Sequence, residues 1–225
     1  MFYMYYIVGL GNPGEEYKLS RHNTGRIVLG RFMKNRGIGE LEYEKKLKAL
    51  TGGEKIALAE RGKYKKFQII FPETFMNKSG LSLKPITGKI VKKKKACHAG
   101  RQSLSLAAEN LIVVHDDIDL ALGKFKISVG KGSGGHKGVE SIIKNLKTKN
   151  FIRIRVGISP SSSHRTVQAP FGKPKKPQKE KILNFIIGNF KPKEMQVLKK
   201  TAKKIASALE MILEEGVGKA MNVYN

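Results

Sequence analysis

The segment Leu111-Ile112-Val113-Val114-His115-Asp116-Asp117-Ile118-Asp119 joins a short apolar run to a histidine and three carboxylates. Consecutive aliphatic residues bounded by polar ones are typical of a strand that is buried on both faces in the middle of a sheet. The segment therefore predicts a buried central strand at 111–115, with carboxylates at the end of its apolar run.

Further strands and helices are predicted on both sides of this segment. Apolar or alternating runs indicate strands at 4–9, 46–50, 55–59, 67–71, 124–129 and 153–158. Helical spacing of apolar residues indicates one helix that starts near residue 23 and others at 74–83, 138–146 and 193–214. Strands mixed with helices predict an α/β sandwich around one sheet, and residues 1–225 show no internal repeat and no second core.

Two stretches have the composition of surface loops. Residues 88–106 contain the run Lys92-Lys93-Lys94-Lys95, and residues 159–181 are rich in Ser, Pro and Lys. Such composition favours mobile excursions over packed elements. The lysines of each loop either grip RNA without sequence preference or form a solvated face.

The charge balance is unusual, because 44 Lys and Arg residues stand against 18 Asp and Glu residues, a formal net charge of +26. Such a surface attracts polyanions. The alternatives are adaptation to a salty or hot habitat and a solubilising lysine coat, but hot-adapted surfaces usually balance both signs. The composition therefore favours a nucleic-acid partner.

The cysteine count and the hydropathy of the chain indicate the cellular compartment in which the protein works. Cys97 is the single cysteine of the sequence, which excludes an intramolecular disulfide and a cysteine-rich zinc site. No apolar run approaches transmembrane length, and the apolar start at residues 1–10 lacks the basic segment and cleavage site of a signal peptide. We therefore expect a cytoplasmic protein with no membrane contact.

The segment Ser20-Arg21-His22-Asn23 places a histidine among polar neighbours. A lone histidine near a helix start is often structural or a partial cap, but these neighbours favour a surface or site position for His22. A histidine that meets a carboxylate across the fold is the minimal device for activating a water molecule. His22 and the carboxylates at 116–119 are the candidates for such a pair.

The run Gly9-Leu10-Gly11-Asn12-Pro13-Gly14 fits the dinucleotide fingerprint G-x-G-x-x-G, but its context does not. Pro13 removes a backbone donor, and Glu15 and Glu16 bring negative charge to the place where a phosphate would lie. The acidic residue expected about twenty positions later is absent. The run is either a plain turn or a turn that aims Asn12 into a cleft, and we favour the second.

The cluster His115-Asp116-Asp117-x-Asp119 has the ligand types of a Mg²⁺ or Mn²⁺ site. Because alternate residues of a strand face opposite sides, His115 and Asp117 are expected to point away from Asp116. Acidic residues for further ligands are scarce in this chain. A metal-free site is therefore favoured, with a metal-dependent phosphoesterase as an alternative.

Two more segments offer contacts to a ligand. The glycine-rich segment 130–138 is either a flexible connection or a site for phosphate or sugar, which Lys131 and Lys137 favour. In the segment 72–80, Phe75 and Met76 fit a core, whereas Asn77 offers a carboxamide to a peptide-like ligand.

Taken together, the order of these motifs resembles the bacterial-type peptidyl-tRNA hydrolase family. The matching pieces run through most of the chain: Val8-Gly-Leu-Gly-Asn-Pro-Gly14, Arg21-His-Asn-x-Gly25, Thr74-Phe-Met-Asn-x-Ser-Gly80, His115-Asp-Asp-x-Asp119, Gly134-Gly-His-x-Gly138 and Arg153-x-Arg-x-Gly-Ile158. Each piece alone is weak, but together they are highly specific.

The resemblance implies a fold and an activity. The fold is a single-domain three-layer sandwich with a mixed, twisted central sheet flanked by helices. The activity is hydrolysis of the ester that joins a peptide to the 3′ end of tRNA, with aminoacyl-tRNA spared when its amine is unblocked. It implies a monomer whose partner is peptidyl-tRNA, with no cofactor, no metal and no obligate protein partner.

The resemblance also implies roles for residues at matching positions. His22 resembles the general base, Asp116 the residue that holds its tautomer, and Asn12 the residue that recognises the blocked amino end and helps place the water. Others resemble substrate contacts: Asn77 binds the peptide and the terminal nucleotide, Tyr17 and Phe75 give aromatic contacts, and Lys126 and Arg155 form a basic clamp for the tRNA 5′ phosphate.

This chain departs from the family at Lys137, where the family usually has Asn. An ammonium group donates hydrogen bonds but cannot accept them, so Lys137 suits a phosphate and cannot copy an acceptor role. A non-catalytic RNA-binding protein on the same scaffold is the rival function. The presence of His22, Asp116, Asn12 and Asn77 together favours the enzyme.

Overall fold

The computed structural model describes residues 4–57, 64–98, 101–160 and 179–225. Its strands are β1 (Met4–Gly9), β2 (Glu42–Glu44), β3 (Ala49–Ala57), β4 (Tyr64–Pro72), β5 (Lys92–His98), β6 (Arg101–Ala121), β7 (Phe125–Val129) and β8 (Phe151–Ser159). Its α-helices are α1 (Thr24–Arg36), α2 (Thr87–Ile90), α3 (Lys137–Leu146), α4 (Lys179–Ile187), α5 (Pro192–Glu215) and α6 (Val217–Tyr224). Short 3-10 helices cover Glu15–Tyr17, Arg21–Asn23, Met76–Ser82 and Lys84–Ile86.

The strands form a mixed sheet in the order β2-β3-β4-β1-β6-β8-β7. The four middle strands, β4, β1, β6 and β8, are mutually parallel, whereas β2, β3 and β7 pair in antiparallel fashion at the two edges. Parallel strands bring their carboxyl ends to one edge of a sheet, which is where open α/β sheets bind ligands. The ends of β1 and β6 therefore mark the place to look for a site.

Helices cover both faces of the sheet, so the predicted three-layer α/β sandwich is confirmed. Along β1 the side chains alternate, with Ile7 packed in one core and Val8 in the other. The Ile7 core lies against α1, α5 and α6, and the Val8 core lies against α2, α3 and the 3-10 helix Met76–Ser82. Both residues are fully buried, as expected for a strand in the middle of a sandwich.

Several sequence predictions need correction. The predicted strands 46–50 and 55–59 fall in the turn before β3 and in β3 itself, with residues 58–59 outside the described residues, and β2 was missed. The segment 74–83 forms a 3-10 helix instead of an α-helix, and α6 was also missed. Edge strands and short helices are held by tertiary pairing more than by local sequence, which explains these errors.

The surface loop predicted at 88–106 is wrong. Residues 92–98 pair in antiparallel fashion with residues 101–107, so β5 and the start of β6 form a hairpin. A lysine-rich composition predicts a surface loop. The backbone of lysine nevertheless has the same N–H and C=O groups for strand pairing as that of any other non-proline residue. For the loop predicted at 159–181, residues 161–178 lie outside the described residues, and its last residues belong to α4.

None of the described helices is both long enough and apolar enough to cross a membrane.

Candidate active site

The site lies at the carboxyl end of β1, where the pairing of β1 with β6 stops at Gly9 and Val114 and where α1 begins. The Leu10 N–H donates to the Val114 carbonyl at 3.0 Å, so the two strands are joined there. Gly25, in the first turn of α1, lies so close that a Cβ there would be 2.3 Å from the Val114 carbonyl oxygen. This close approach requires glycine, and it holds the residues just before α1 against β6 at Val114.

His22 and Asp116 form a buried pair at this point. His22 Nδ1 lies 3.0 Å from both Asp116 carboxylate oxygens, and the two residues are 7% and 4% exposed. Because a carboxylate only accepts, Nδ1 is the donor, which leaves Nε2 of the neutral ring without a proton. The structure therefore brings together the histidine and one of the carboxylates that the sequence offers as a candidate pair, with the unprotonated Nε2 as the basic atom of the ring.

Electrostatics keep the Asp116 carboxylate ionised. Burial by itself raises its pKa, but the charge and hydrogen bonds of His136 and His22 outweigh burial and hold the pKa of Asp116 well below its ordinary value. A permanently negative carboxylate stabilises an imidazolium when one forms beside it.

His136 is the functional residue that the sequence reasoning missed. Its Nε2 donates to Asp116 Oδ1 at 2.9 Å, while its Nδ1 accepts from the Gly138 and Val139 N–H groups at 3.1 and 3.3 Å. Its ring lies 4.9 Å from that of His22. The signal is present in the motif Gly134-Gly-His-x-Gly138, where the histidine lies just before the predicted helix. His136 caps α3 and fixes the second side of the Asp116 carboxylate.

The expectation that His115 points away from Asp116 is wrong, because His115 lines the same cavity as Asp116 and His136. Its Nδ1 donates to the Asp116 backbone carbonyl at 2.7 Å, and its ring lies 4.7 Å from that of His136. Burial, followed by the nearby His136, lowers the pKa of His115 well below its ordinary value. His115 is therefore a neutral, buried support for the strand end.

The three neighbouring carboxylates line one cavity, and those of Asp116 and Asp117 have different partners. Asp117 Oδ2 accepts from Arg155 Nε at 2.5 Å, and Asp117 Oδ1 accepts from the Asp119 N–H at 2.9 Å. Asp116 alone of these faces the two imidazoles. Only Asp116 of these carboxylates belongs to the imidazole pair, and the preference for a metal-free site over a metal-dependent phosphoesterase stays a prediction.

A different set has the composition of a metal site. Ligand atoms of His22, Asp116 and His136 lie within 4.8 Å of one another. Hydrogen bonds already account for this arrangement, because each imidazole donates a hydrogen bond to the carboxylate and His136 Nδ1 accepts from two backbone N–H groups. The absence of a metal requirement stays a prediction.

Asn12 is held by its neighbours in the turn after β1. Its N–H donates to Asn23 Oδ1 at 2.8 Å, and Asn23 Nδ2 donates to its carbonyl at 2.9 Å. Asn12 Oδ1 accepts from the Met76 N–H at 2.8 Å, so its amide NH₂ is the end available to a ligand. Gly14, with a φ of 104°, completes a turn that only glycine adopts readily. Asn12 is thus fixed relative to His22 through Asn23.

Arg21 anchors His22 to the helix on the opposite wall. Its Nη1 donates to the carbonyls of Gly188 and Asn189 at 3.2 and 3.0 Å, just after the end of α4, and its Nη2 donates to Glu194 at 2.8 Å. A cation suits the carbonyl end of a helix. The residue before the base therefore fixes both α4 and the start of α5.

A cavity of about 640 Å³ opens beside the pair. One wall is polar and cationic, formed by the glycine-rich segment 131–137 with Arg153 and Arg155. The other wall is apolar, formed by Ile182, Leu183 and Ile186 of α4. A cavity that joins a buried base, cations and an apolar wall suits a ligand that is part anion and part acyl chain.

Besides the basic clamp, the other residues that the sequence predicts as substrate contacts are Phe75, Asn77, Tyr17 and Lys137. Phe75 and Asn77 are exposed on either side of Met76, which is bonded to Asn12. Tyr17 is half-buried, and no hydrogen bond or ring contact within the described part of the chain joins it to His22 or Asp116. Lys137 is exposed and pairs with Glu140 at 3.1 Å.

Lys126 and Arg155, the two residues of the predicted clamp, lie next to each other in the sheet, and their role stays a prediction. They are directly opposite on the antiparallel strands β7 and β8, which places their side chains on the same face. Arg155 is partly buried and bonded to Asp117, whereas Lys126 is exposed. Arg153, two residues earlier on the same face, is 2% exposed and also lines the cavity.

Comparison with known proteins agrees with this geometry. Residues 6–225 match the family model described as peptidyl-tRNA hydrolase. The chain is 34% identical over 222 residues to a peptidyl-tRNA hydrolase of Thermodesulfovibrio yellowstonii, which covers 99% of each chain. It is 34% identical over 219 residues to one of Thermotoga maritima, which covers 97% of this chain and 96% of that protein.

The chain is also similar to solved structures of peptidyl-tRNA hydrolases. The crystal structure of peptidyl-tRNA hydrolase from Acinetobacter baumannii superposes with a TM-score of 0.76 at 26% identity and covers 100% of this chain and 96% of that one. The motif order, the His22–Asp116 pair, the family model and the relatives at 34% identity agree, and the chain belongs to the peptidyl-tRNA hydrolase family.

Proposed function

We propose that this chain is an enzyme that hydrolyses the ester bond between a peptide, or an N-blocked amino acid, and the 3′ end of tRNA. The observation that carries the proposal is the buried His22–Asp116 pair, 3.0 Å apart, at the mouth of a cavity with a cationic wall. The names of the relatives support the same substrate class.

His22 acts as the general base toward water. Its Nε2 takes a proton from a water molecule while the water oxygen bonds to the ester carbonyl carbon. The tetrahedral intermediate then breaks its bond to the ribose oxygen, and the imidazolium returns the proton to that oxygen. The products are a carboxylic acid and a tRNA with a free terminal hydroxyl. One positioned base contributes about 10²–10⁴-fold to the rate.

Asp116 and Asn12 assist this step in different ways. Asp116 keeps the proton of the neutral ring on Nδ1 and stabilises the imidazolium as it forms. Asn12, fixed by Met76 and Asn23, presents its NH₂ group to the substrate near the blocked amino end. A neutral donor aimed at a developing oxyanion is worth about 10²–10³-fold.

The remaining contacts bind the substrate. Asn77 supplies a carboxamide to the peptide and the terminal nucleotide, and Phe75 and Tyr17 supply aromatic surface. Lys126 and Arg155 bind the 5′ phosphate, where charge-assisted hydrogen bonds are strong. Lys137 lines the cavity beside His22 and Asp116. When substrate binds, its ammonium group leaves the ion pair with Glu140 and contacts a phosphate.

In the cell this reaction frees tRNA from peptides that leave the ribosome early, so that the tRNA is reused in translation. We propose that the protein works in the cytoplasm as a monomer, without a cofactor or an obligate protein partner. The single cysteine and the net charge of +26 are consistent with a cytoplasmic partner of RNA.

The test is release of an N-acetylated amino acid from tRNA, with the unblocked aminoacyl-tRNA as control and a chelator present throughout. We expect turnover of the blocked substrate alone, unchanged by the chelator. In His22→Ala turnover is lost while tRNA binding persists. Tight tRNA binding without ester cleavage by the wild-type protein would refute the enzyme and favour the RNA-binding rival.

A further inference from the structure

A row of lysines follows the exposed side of α5. With 3.6 residues per turn, Lys193, Lys200 and Lys204 fall within about 40° of one another around the helix axis, and Lys199 and Lys203 flank them on one side. All five are exposed, and none of them makes an ion pair with another described residue. We name these five residues the α5 lysine row.

The stability of α5 does not account for this charge pattern. Lysines at Lys199 and Lys203, and at Lys200 and Lys204, are like charges four residues apart, a spacing that destabilises a helix. Lys193 lies in the first turn beside Glu194, and the last turn holds acidic residues with no basic one, so neither Lys193 nor the end of the helix has the charge that the helix dipole favours. A polyanion bound along the row would offset both costs.

The α5 lysine row begins beside the catalytic pair. Glu194, in the first turn of α5, bonds to Arg21, the residue before the base. The turn between β6 and β7 reaches the same helix, since a Cβ at Gly123 would lie 3.1 Å from Val197 Cγ1. Lys124 and the clamp residue Lys126 follow that turn. From Lys193 to Lys204 the row extends about 16 Å away from the site.

The exposed side of α5 indicates the kind of partner. It lacks aromatic side chains, so it offers no platform on which single-stranded bases could stack. Its one apolar member is Val197, 39% exposed, which is too little for insertion into a membrane surface. Evenly spaced point charges on a rigid helix suit the phosphate backbone of a double-stranded nucleic acid.

We propose that the α5 lysine row binds the phosphates of the double-helical arm of tRNA while the 3′ end occupies the cavity. This inference rests on the proposed function and adds to it a second contact region away from the ester. It predicts that affinity for whole tRNA, but not chemistry at the ester, depends on the row.

The test compares two triple variants on two substrates. One variant carries Lys193→Gln, Lys200→Gln and Lys204→Gln. Its control carries Lys84→Gln, Lys89→Gln and Lys144→Gln, which remove the same charge from exposed positions on the opposite layer. One substrate is N-acetylaminoacyl-tRNA, and the other is the same acyl group on a short oligonucleotide of the 3′-terminal nucleotides only.

For the α5 variant on whole tRNA, we expect KM to rise about tenfold or more at 0.1 M monovalent salt, with kcat unchanged. The slope of log KM against log salt should fall by about 2 to 3, close to one per lysine removed. On the short substrate both kinetic constants should stay at the wild-type values, and the control variant should match the wild type on both.

Three results would overturn the inference: an α5 variant with normal KM on tRNA, an equal rise in KM for both triple variants, or an equal loss on both substrates. If the wild type cleaves neither substrate, it is the proposed function that fails. Direct binding of deacylated tRNA across the same salt range then decides the role of the row.

Discussion

Replacement of Asp116 by Asn tests the proposed base most directly, because it removes the charge and keeps the shape. His136 cannot adjust to the change, since its Nδ1 accepts from two backbone N–H groups and its Nε2–H must face an acceptor. In Asp116→Asn the amide oxygen therefore stays with His136, and the amide NH₂ takes the place of Oδ2 and points at His22 Nδ1.

That geometry sets a donor beside His22 Nδ1 and leaves as its acceptor only the oxygen at the Oδ1 position, 3.0 Å away and shared with His136, so the Nδ1-protonated tautomer loses its preference. To accept from the new NH₂, Nδ1 must give up its proton, which moves to Nε2, the atom that should take a proton from water. The expected loss in kcat is about 10²–10⁴-fold, the range that one positioned base contributes. Binding of tRNA should change little, because Asp116 is 4% exposed and reaches substrate only through His22.

The assay is single-turnover release of N-acetylated amino acid from tRNA, beside tRNA affinity and a thermal melt. Glu42→Gln, on the exposed edge strand β2, is the matched control for the loss of one carboxylate, and its turnover should equal the wild type. Retention of more than about a tenth of kcat by Asp116→Asn would refute the tautomer argument. Loss of binding together with loss of the fold would make Asp116 structural.

Three further predictions concern the fold, pH and the phosphate clamp. Gly25→Ala should lower the free energy of unfolding in urea by about 3 kcal/mol or more, because the new Cβ would overlap the backbone atoms of Leu10 and Val114. Gly30→Ala in the same helix has open space around it, so this control should raise the free energy of unfolding by about 0.5–1 kcal/mol. Because the pKa of Asp116 is lowered in the folded state, its contribution to stability is present above the unfolded pKa, near 3.8, and is lost as pH falls below that value. Urea unfolding between pH 5 and pH 2 should therefore show a shallower decline for Asp116→Asn than for the wild type, and parallel curves would contradict the shift. Lys126→Gln and Arg155→Gln should each raise KM for tRNA and reduce the salt slope by about one, and an unchanged slope would exclude a phosphate contact.

Much of the fold was predictable because local pattern and tertiary position agree for buried elements. The run 111–114 is buried on both faces of β6, and its composition reflects that environment. The hairpin of β5 and β6 was not predictable, because Lys92 and its neighbours carry no apolar pattern and the pairing depends on backbone groups that every residue has.

The candidate site shows the same division. The sequence indicated three residues of the site: His22, Asp116 and Asn12. Each is a polar residue next to a glycine-containing turn or at the end of an apolar strand run, where polar side chains often serve a binding or catalytic role. His136 was overlooked, although its motif was recognised, because a histidine between a glycine pair and a lysine looks like part of a flexible connection. Its importance comes from two backbone N–H groups at the start of α3, which no local pattern reveals.

The sequence alone determined the α/β class, the central strand, the chemical types available at the site and the net charge of +26. Those properties follow from residue types and their spacing, which act over a few positions along the chain. Only the tertiary structure decided that His22 meets Asp116 across 94 residues, that His136 holds the other side of that carboxylate, and that Lys126 lies opposite Arg155. A hydrogen bond is made or lost within a few tenths of an ångström, and that precision arises when both layers of helices pack on the sheet.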